Sequence, residues 1–142
     1  MGIRESDTMV EQPFQELLID FYEGAYGETL RLATDERDDV RTLNAIFRSV
    51  AEGREVDLAS WPGAQRSESV LRILLRRVAG RSKIRKLEMV GGAQSFEWTQ
   101  EDEGWLESAE LIEPLIDSNR PCHQYLTEEG ERSILVEVAF QE

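Results

Sequence analysis

The sequence predicts an α+β fold: a single domain with one mostly antiparallel sheet and two helices packed on one face of it. Three observations lead there. Short stretches in which apolar and polar residues alternate recur along the chain. Two longer stretches carry apolar residues at helical spacing behind a cluster of acids. Glycine turns separate neighbouring strand-like stretches. The 142 residues are enough for one core and too few for two domains.

Residues 1–12 hold little apolar material and are expected to form a flexible tail, leaving 13–142 as the domain. In Phe14–Tyr22 two periods compete. Leu17, Ile19 and Phe21 alternate as in a strand, while Phe14, Leu17, Leu18 and Phe21 fit a helix with Pro13 at its first position. Gly24-Ala25-Tyr26-Gly27 reads as a turn, and Leu30–Ala33 as a short strand. Thr34 is the expected N-cap of a helix, with Asp35 and Glu36 in its first turn. Val40, Leu43, Phe47 and Val50 form the buried stripe, and Gly53 ends it. Val56–Ala59 is briefly apolar, and Ser60–Ser69 reads as a loop. Val70–Val78 again fits both periods, and Gly91-Gly92 marks a hairpin after the strand Ile84–Val90.

In the last third, Phe96 and Trp98 alternate with Ser95, Glu97 and Thr99 as in a strand. Thr99 or Gln100 then caps a helix opened by Glu101, Asp102 and Glu103, where carboxylates favour the positive end of the helix dipole. Trp105, Ala109, Ile112 and Ile116 share one face of it. Pro114 predicts a kink or an early end. Cys122–Thr127 reads as a strand, Glu128–Glu131 as a turn, and Ile134, Val136, Val138 and Phe140 as the inward residues of a last strand.

The order of elements repeats. At a spacing of 65, Val40, Ile46, Phe47 and Val50 match Trp105, Leu111, Ile112 and Leu115; after a shift of two, Leu71, Ile73 and Leu75 match Ile134, Val136 and Val138. This predicts a degenerate internal duplication of a ββαββ unit, with pseudo-repeats at 13–79 and 80–142. It also favours strand over helix at Phe14–Tyr22 and Val70–Val78.

No pattern of residues demands catalysis. Cys122 and His123 are neighbours on a strand and point to opposite faces, so they do not form a thiol–imidazole pair. Cys122 reads as a small hydrophobe. His123 and Tyr125 share a face and are the residues on which a pocket, and with it a small hydrolase or a ligand-binding sensor, would rest. Asp35, Glu36, Asp38 and Asp39 lack the ligand spacing and central glycine of a calcium loop. Gly91-Gly92 lacks the Lys and Ser/Thr of a phosphate loop. The sequence therefore predicts no metal site and no cofactor.

Charge is the sharper signal. The formal net charge is −13, distributed as −8 over residues 1–60, +6 over 61–93 and −11 over 94–142. Such a chain repels nucleic acid and anionic membrane and attracts basic proteins. The basic segment Arg72, Arg76, Arg77, Arg81, Lys83, Arg85 and Lys86 has no interleaved aromatic residue for base stacking, and is expected to pair with the protein's own acidic helices. On the second helix, Glu103, Glu107, Glu110 and Asp117 are expected to face water and form the docking strip for a basic protein partner. No apolar run approaches the roughly 20 residues that span a bilayer. A single cysteine predicts a reducing cytoplasm, and 14 Arg against 2 Lys suggests a GC-rich bacterial gene. In size, charge and class the chain resembles the immunity proteins that neutralise secreted toxins, many of which attack nucleic acid, although no motif carries the resemblance. The expected function is a non-enzymatic, protein-binding one.

Overall fold

A computed structural model describes residues 12–118, 120–127 and 134–141. The expected turn at 128–131 and nearly all of the expected tail lie outside the described residues. The elements follow in this order: β1 (Leu17–Gly24), β2 (Gly27–Thr34), α1 (Arg37–Ala51), β3 (Val56–Asp57), a one-turn 3-10 helix (Leu58–Ser60), β4 (Ala64–Arg66), β5 (Val70–Arg77), β6 (Lys83–Val90), β7 (Ala93–Gln100), α2 (Asp102–Ile116), β8 (Cys122–Tyr125) and β9 (Leu135–Phe140). The class is α+β. Both ambiguous stretches are strands, since β1 and β5 each bury alternate residues against the core.

The strands divide between two sheets where the sequence suggested one. Sheet A has the order β4-β1-β2-β9-β8, and sheet B the order β3-β5-β7-β6. Antiparallel ladders predominate, joining β1 to β2, β3 to β5, β6 to β7 and β8 to β9. Parallel ladders join β2 to β9, β5 to β7 and β1 to β4. A single sheet fails because the last strand pair of each half does not return to its own hairpin. β5 lies beside β7 of the second half, and β9 lies beside β2 of the first.

This exchange is regular. Read from its first hairpin, sheet A runs β1-β2-β9-β8 and sheet B runs β6-β7-β5-β3, the same path with the halves interchanged. Register agrees: Val136 pairs with Leu30 as Ile73 pairs with Phe96, and Val138 pairs with Leu32 as Leu75 pairs with Trp98. The helices cross antiparallel. Arg37 Nη2 donates to the carbonyl of Ser118, Asn44 Nδ2 to that of Ala109, and the Phe47 ring packs on Trp105, so positions advance on one helix as they retreat on the other. Asn44 and Ala109 stand 65 residues apart, the spacing that relates the two helices.

One core serves both halves. Trp98, Trp105, Ile112, Val136 and Val138 are all buried, as the sequence predicted. Phe47, Trp98 and Trp105 form an aromatic cluster with ring centroids 4.7–5.7 Å apart. The Trp105 indole N–H donates to the carbonyl of Arg76 at 2.9 Å. β9 departs from simple alternation: Leu135, Glu137 and Ala139 are buried as well, because β9 is flanked by β2 and β8.

The helix starts also differ from expectation. Neither Thr99 nor Gln100 caps α2; both remain in β7, and Glu101 precedes the helix without a side-chain cap. Thr34 ends β2, two residues before the N-cap Glu36, although its hydroxyl does accept from the Glu36 amide. Asp39 is buried and accepts from the amides of Gln15 (2.6 Å) and Glu16 (2.9 Å) and from the Thr34 hydroxyl (2.8 Å). It thereby ties α1 to the chain entering β1. The second half closes the same junction from the strand side: Gln100 reaches Ser108 on α2 and Ser82 before β6. Gly104 stands where Asp39 stands in α1, and a Cβ there would lie 2.9 Å from Gln100 Oε1. Pro114 leaves α2 intact to Ile116, since only the carbonyl of the exposed Glu110 loses its helical donor. No helix among the described residues is long and apolar enough to cross a membrane.

Candidate functional site

Three surface features carry the charged and polar side chains that chemistry or recognition would use. The first is the outer edge of α2. Burial of Trp105, Ser108, Ala109, Ile112 and Leu115 fixes the helix's rotation. Glu103, Glu107, Glu110 and Asp117 are consequently all exposed. Steps of four, three and seven keep them on one stripe. None makes an ion pair among the described residues, whereas Glu113, turned toward α1, binds Arg48 at 2.5 Å. The structure therefore brings the four expected carboxylates onto one exposed stripe, unpaired among the described residues.

The second feature lies on the outer face of sheet A. Tyr125 and Glu137 are register partners, as are His123 and Ala139. His123 Nδ1 approaches Glu137 Oε2 at 2.8 Å. Arg31 Nε lies 3.3 Å from Glu137 Oε1, and the Tyr22 hydroxyl donates to the same oxygen at 3.5 Å. Burial, and then the Glu137 carboxylate, push the Tyr22 phenol above its ordinary pKa. Glu137 is thus a nearly covered carboxylate held by three different strands. The His123 and Tyr125 rings meet edge to face at 5.4 Å, and Tyr26 adds a second such contact to Tyr125 at 6.4 Å. Two concavities flank the group. One of about 420 Å³ is lined by Tyr26, Tyr125, Thr127 and Leu135; another of about 300 Å³ includes Arg31, His123 and Glu137 in its wall. A carboxylate on Nδ1 fixes the imidazole's tautomer, with Nε2 available to exchange a proton with a bound molecule. Cys122 is half-buried and packs against the core. Glu137 and Arg31 were missed by sequence reasoning. The antiparallel register of β8 and β9, which sets Tyr125 opposite Glu137, is what brings Glu137 to His123.

The third feature is the outer face of sheet B. Glu97, nearly covered, accepts from Arg76 Nη1 (2.8 Å) and Arg85 Nε (2.8 Å). Those hydrogen bonds, Arg76 first and Arg85 second, hold its carboxyl below the usual range. Arg76 also reaches Glu55, Arg72 pairs with Glu88, and Lys86 with Glu28. Four cations of the basic segment, Arg72, Arg76, Arg85 and Lys86, are thus paired with glutamates on or beside the strands and not with acids of the helices as the sequence suggested; Arg77 reaches a helix instead, donating to the Ala51 carbonyl at the end of α1. The helices lie on the inner side of sheet B, where Trp98 meets Phe47, while Arg72, Arg76 and Arg85 point outward. Among the described residues, no group of three or more His, Cys, Asp or Glu is placed to hold a metal ion. Comparison with protein-family models, with curated proteins and with solved structures gave no match to this chain.

Proposed function

We propose that this protein is a non-enzymatic binding module that docks a basic protein partner on the carboxylates of α2. One observation carries the reading: Glu103, Glu107, Glu110 and Asp117 form a single exposed stripe none of whose members makes an ion pair among the described residues, while Arg31, Arg72, Arg76 and Arg85 are paired on the sheets. Uncompensated exposed charge on a rigid helix raises the rate of encounter with an opposite surface more than the depth of the final complex. The likeness in size and charge to immunity proteins points to a basic toxin as the kind of partner. The reading takes the protein to be cytoplasmic and bacterial, on its single cysteine and its excess of Arg over Lys.

The test is affinity capture from the source cell with wild type and with the triple reversal Glu103→Lys, Glu107→Lys, Glu110→Lys, followed by association kinetics. Wild type should retain a basic protein. Its association rate should fall steeply between 0.1 M and 1 M salt, as the Debye length contracts from roughly 10 Å to roughly 3 Å. The triple variant should fold and associate slowly at every salt concentration. An acidic partner, or rates indifferent to salt and to the reversal, would end this reading.

A second reading rests on the 2.8 Å contact of His123 with Glu137 beside a concavity. There the imidazole acts as a general base on a bound small molecule, as in a hydrolase, or as a contact of a ligand sensor. Turnover in a broad hydrolase screen that disappears in His123→Ala would promote it over the binding module.

We infer also that the chain descends from a duplicated ββαββ unit. The shared strand path, the matched registers of Leu30 and Phe96, and the crossing of helices at residues 65 apart support that origin.

A further inference from the structure

Among the described residues β6 ends sheet B with its outer edge unpaired, and the protein's other half shows how such an edge is filled. In the interchange of halves β6 corresponds to β1. The outer edge of β1 is covered by β4, a three-residue parallel strand running Leu17↔Ala64 to Ile19↔Arg66. Flanking backbone bonds extend the contact: the Leu17 amide donates to the carbonyl of Gly63, and the Ser67 amide to that of Ile19. Nothing among the described residues stands in the equivalent place beside β6.

The phase of the ladder identifies the free groups. A two-residue turn makes the closing pair of a hairpin hydrogen-bonded, and the pairs then alternate. In the first hairpin this turns Ile19 outward, as its bond to Ser67 requires. In the second, the register shift between Lys86 and Met89 restores the same phase at Lys86↔Phe96 and Ile84↔Trp98. Ile84 and Lys86 therefore direct both amide and carbonyl away from the sheet. The shift also ends the slot, because regular pairing stops beyond Lys86. What remains is a strand position about as long as β4.

Its chemistry differs from that of β1. Lys83 and Arg85 lie on the outer face with Thr99 and Glu97, and Ile84 and Lys86 on the face of Trp98 and Phe96. Cations thus border the slot on both sides, with Arg81 just ahead of it, in a molecule that is otherwise strongly acidic. We propose that the β6 edge at Lys83–Lys86 is a strand-addition site for a short acidic segment of a partner protein, one that alternates carboxylates with apolar residues. Backbone bonds to Ile84 and Lys86 supply the affinity, and Lys83, Arg85 and Arg81 select against neutral or basic segments. This surface is separate from the α2 carboxylates, so either site can fail without the other.

The probe is a blocked hexapeptide of alternating glutamate and valine, titrated into the full chain while backbone amide shifts are followed. Shifts should centre on residues 83–86 and saturate. Lys83→Glu combined with Arg81→Glu should weaken binding at least about tenfold; neither side chain makes an ion pair among the described residues. N-methylation of alternate peptide amides should abolish binding, since it removes the strand's donors and leaves its charge. A lysine–valine peptide should not bind. The proposal is overturned if the N-methylated peptide binds as well as the parent, if the shifts map elsewhere, or if no shift appears at millimolar peptide. It is equally overturned if an oligonucleotide or a second copy of the chain, seen as concentration-dependent dimerisation, claims these amides and the peptide does not.

Discussion

Trp105 is the residue on which most of the structure converges. Its ring is fully buried between Trp98 and Phe47, and its N–H joins α2 to β5 through the carbonyl of Arg76. Truncation leaves a cavity that a two-sheet core cannot collapse to fill, and frees the Arg76 carbonyl. Trp105→Ala should cost about 3–5 kcal/mol in urea denaturation; a loss under about 1 kcal/mol would show that the cluster does not carry the core. Glu97 makes a different prediction, set by pH. Arg76 and Arg85 depress its folded-state pKa, so its contribution is present above the carboxylate's unfolded value, roughly 4.3. That contribution disappears as pH falls through the lower folded value. Glu97→Gln should therefore melt below wild type near neutrality, and the gap should close as pH drops below about 4. Equal melting temperatures at pH 7 would mean that solvent screening of the two half-exposed arginines cancels the pairing.

At the scale of elements, what the sequence revealed depended on whether a segment's own pattern determines its structure. Ile19 and Phe21, Ile73 and Leu75, and Phe96 and Trp98 alternate, and each stretch is a strand. Val40, Leu43, Phe47 and Val50 step helically, and all four are buried on α1. Ala64-Gln65-Arg66 has no apolar alternation and by itself reads as loop; its pairing as β4 comes from β1 and from the approach of Gly63 to Phe14. Likewise, the His123–Glu137 pair depends on the register of two strands, and Asp39 on a chain segment more than 20 residues away. Local acid clusters or alternation do not encode such contacts. Gly63 makes the point testable. Its φ is +86°, and a Cβ there would fall on the backbone of Phe14, inside contact distance. Gly92 has the same φ of +86° with nothing within 4 Å. Gly92→Ala should therefore cost only backbone strain, about 1 kcal/mol, whereas Gly63→Ala adds the displacement of Phe14 and should cost at least about 2 kcal/mol more. Equal losses at both sites would mean that the β4 corner yields without resistance.

The whole molecule is tied together by exchange between its halves, and this determines what each half can do by itself. β2 has β1 on one side and β9 on the other; β7 has β6 and β5. Remove residues 81–142 and Leu30 and Leu32 lose the ladder to Val136 and Val138, while α1 loses the helix that covers Phe47. Remove residues 1–80 and Phe96 and Trp98 lose Ile73 and Leu75 in the same way. Residues 1–80 would retain the hairpin β1–β2 edged by the three-residue β4, and residues 81–142 the hairpin β6–β7, each with one short strand pair and one uncovered helix; hairpins by themselves are marginal in water. The connection between halves passes through Ala79, Gly80 and Arg81, all exposed, so a break there removes little packing. Fragments 1–80 and 81–142 should accordingly be unfolded separately, by circular dichroism and amide shift dispersion. Mixed at equal concentration they should recover the intact chain's spectrum, with a midpoint that rises with concentration because folding has become association. A folded, monomeric 1–80 would show that the exchanged ladders are secondary contacts between two self-sufficient units. Failure of the mixed fragments to fold would instead show that the covalent link is needed to bring the parallel strands into register.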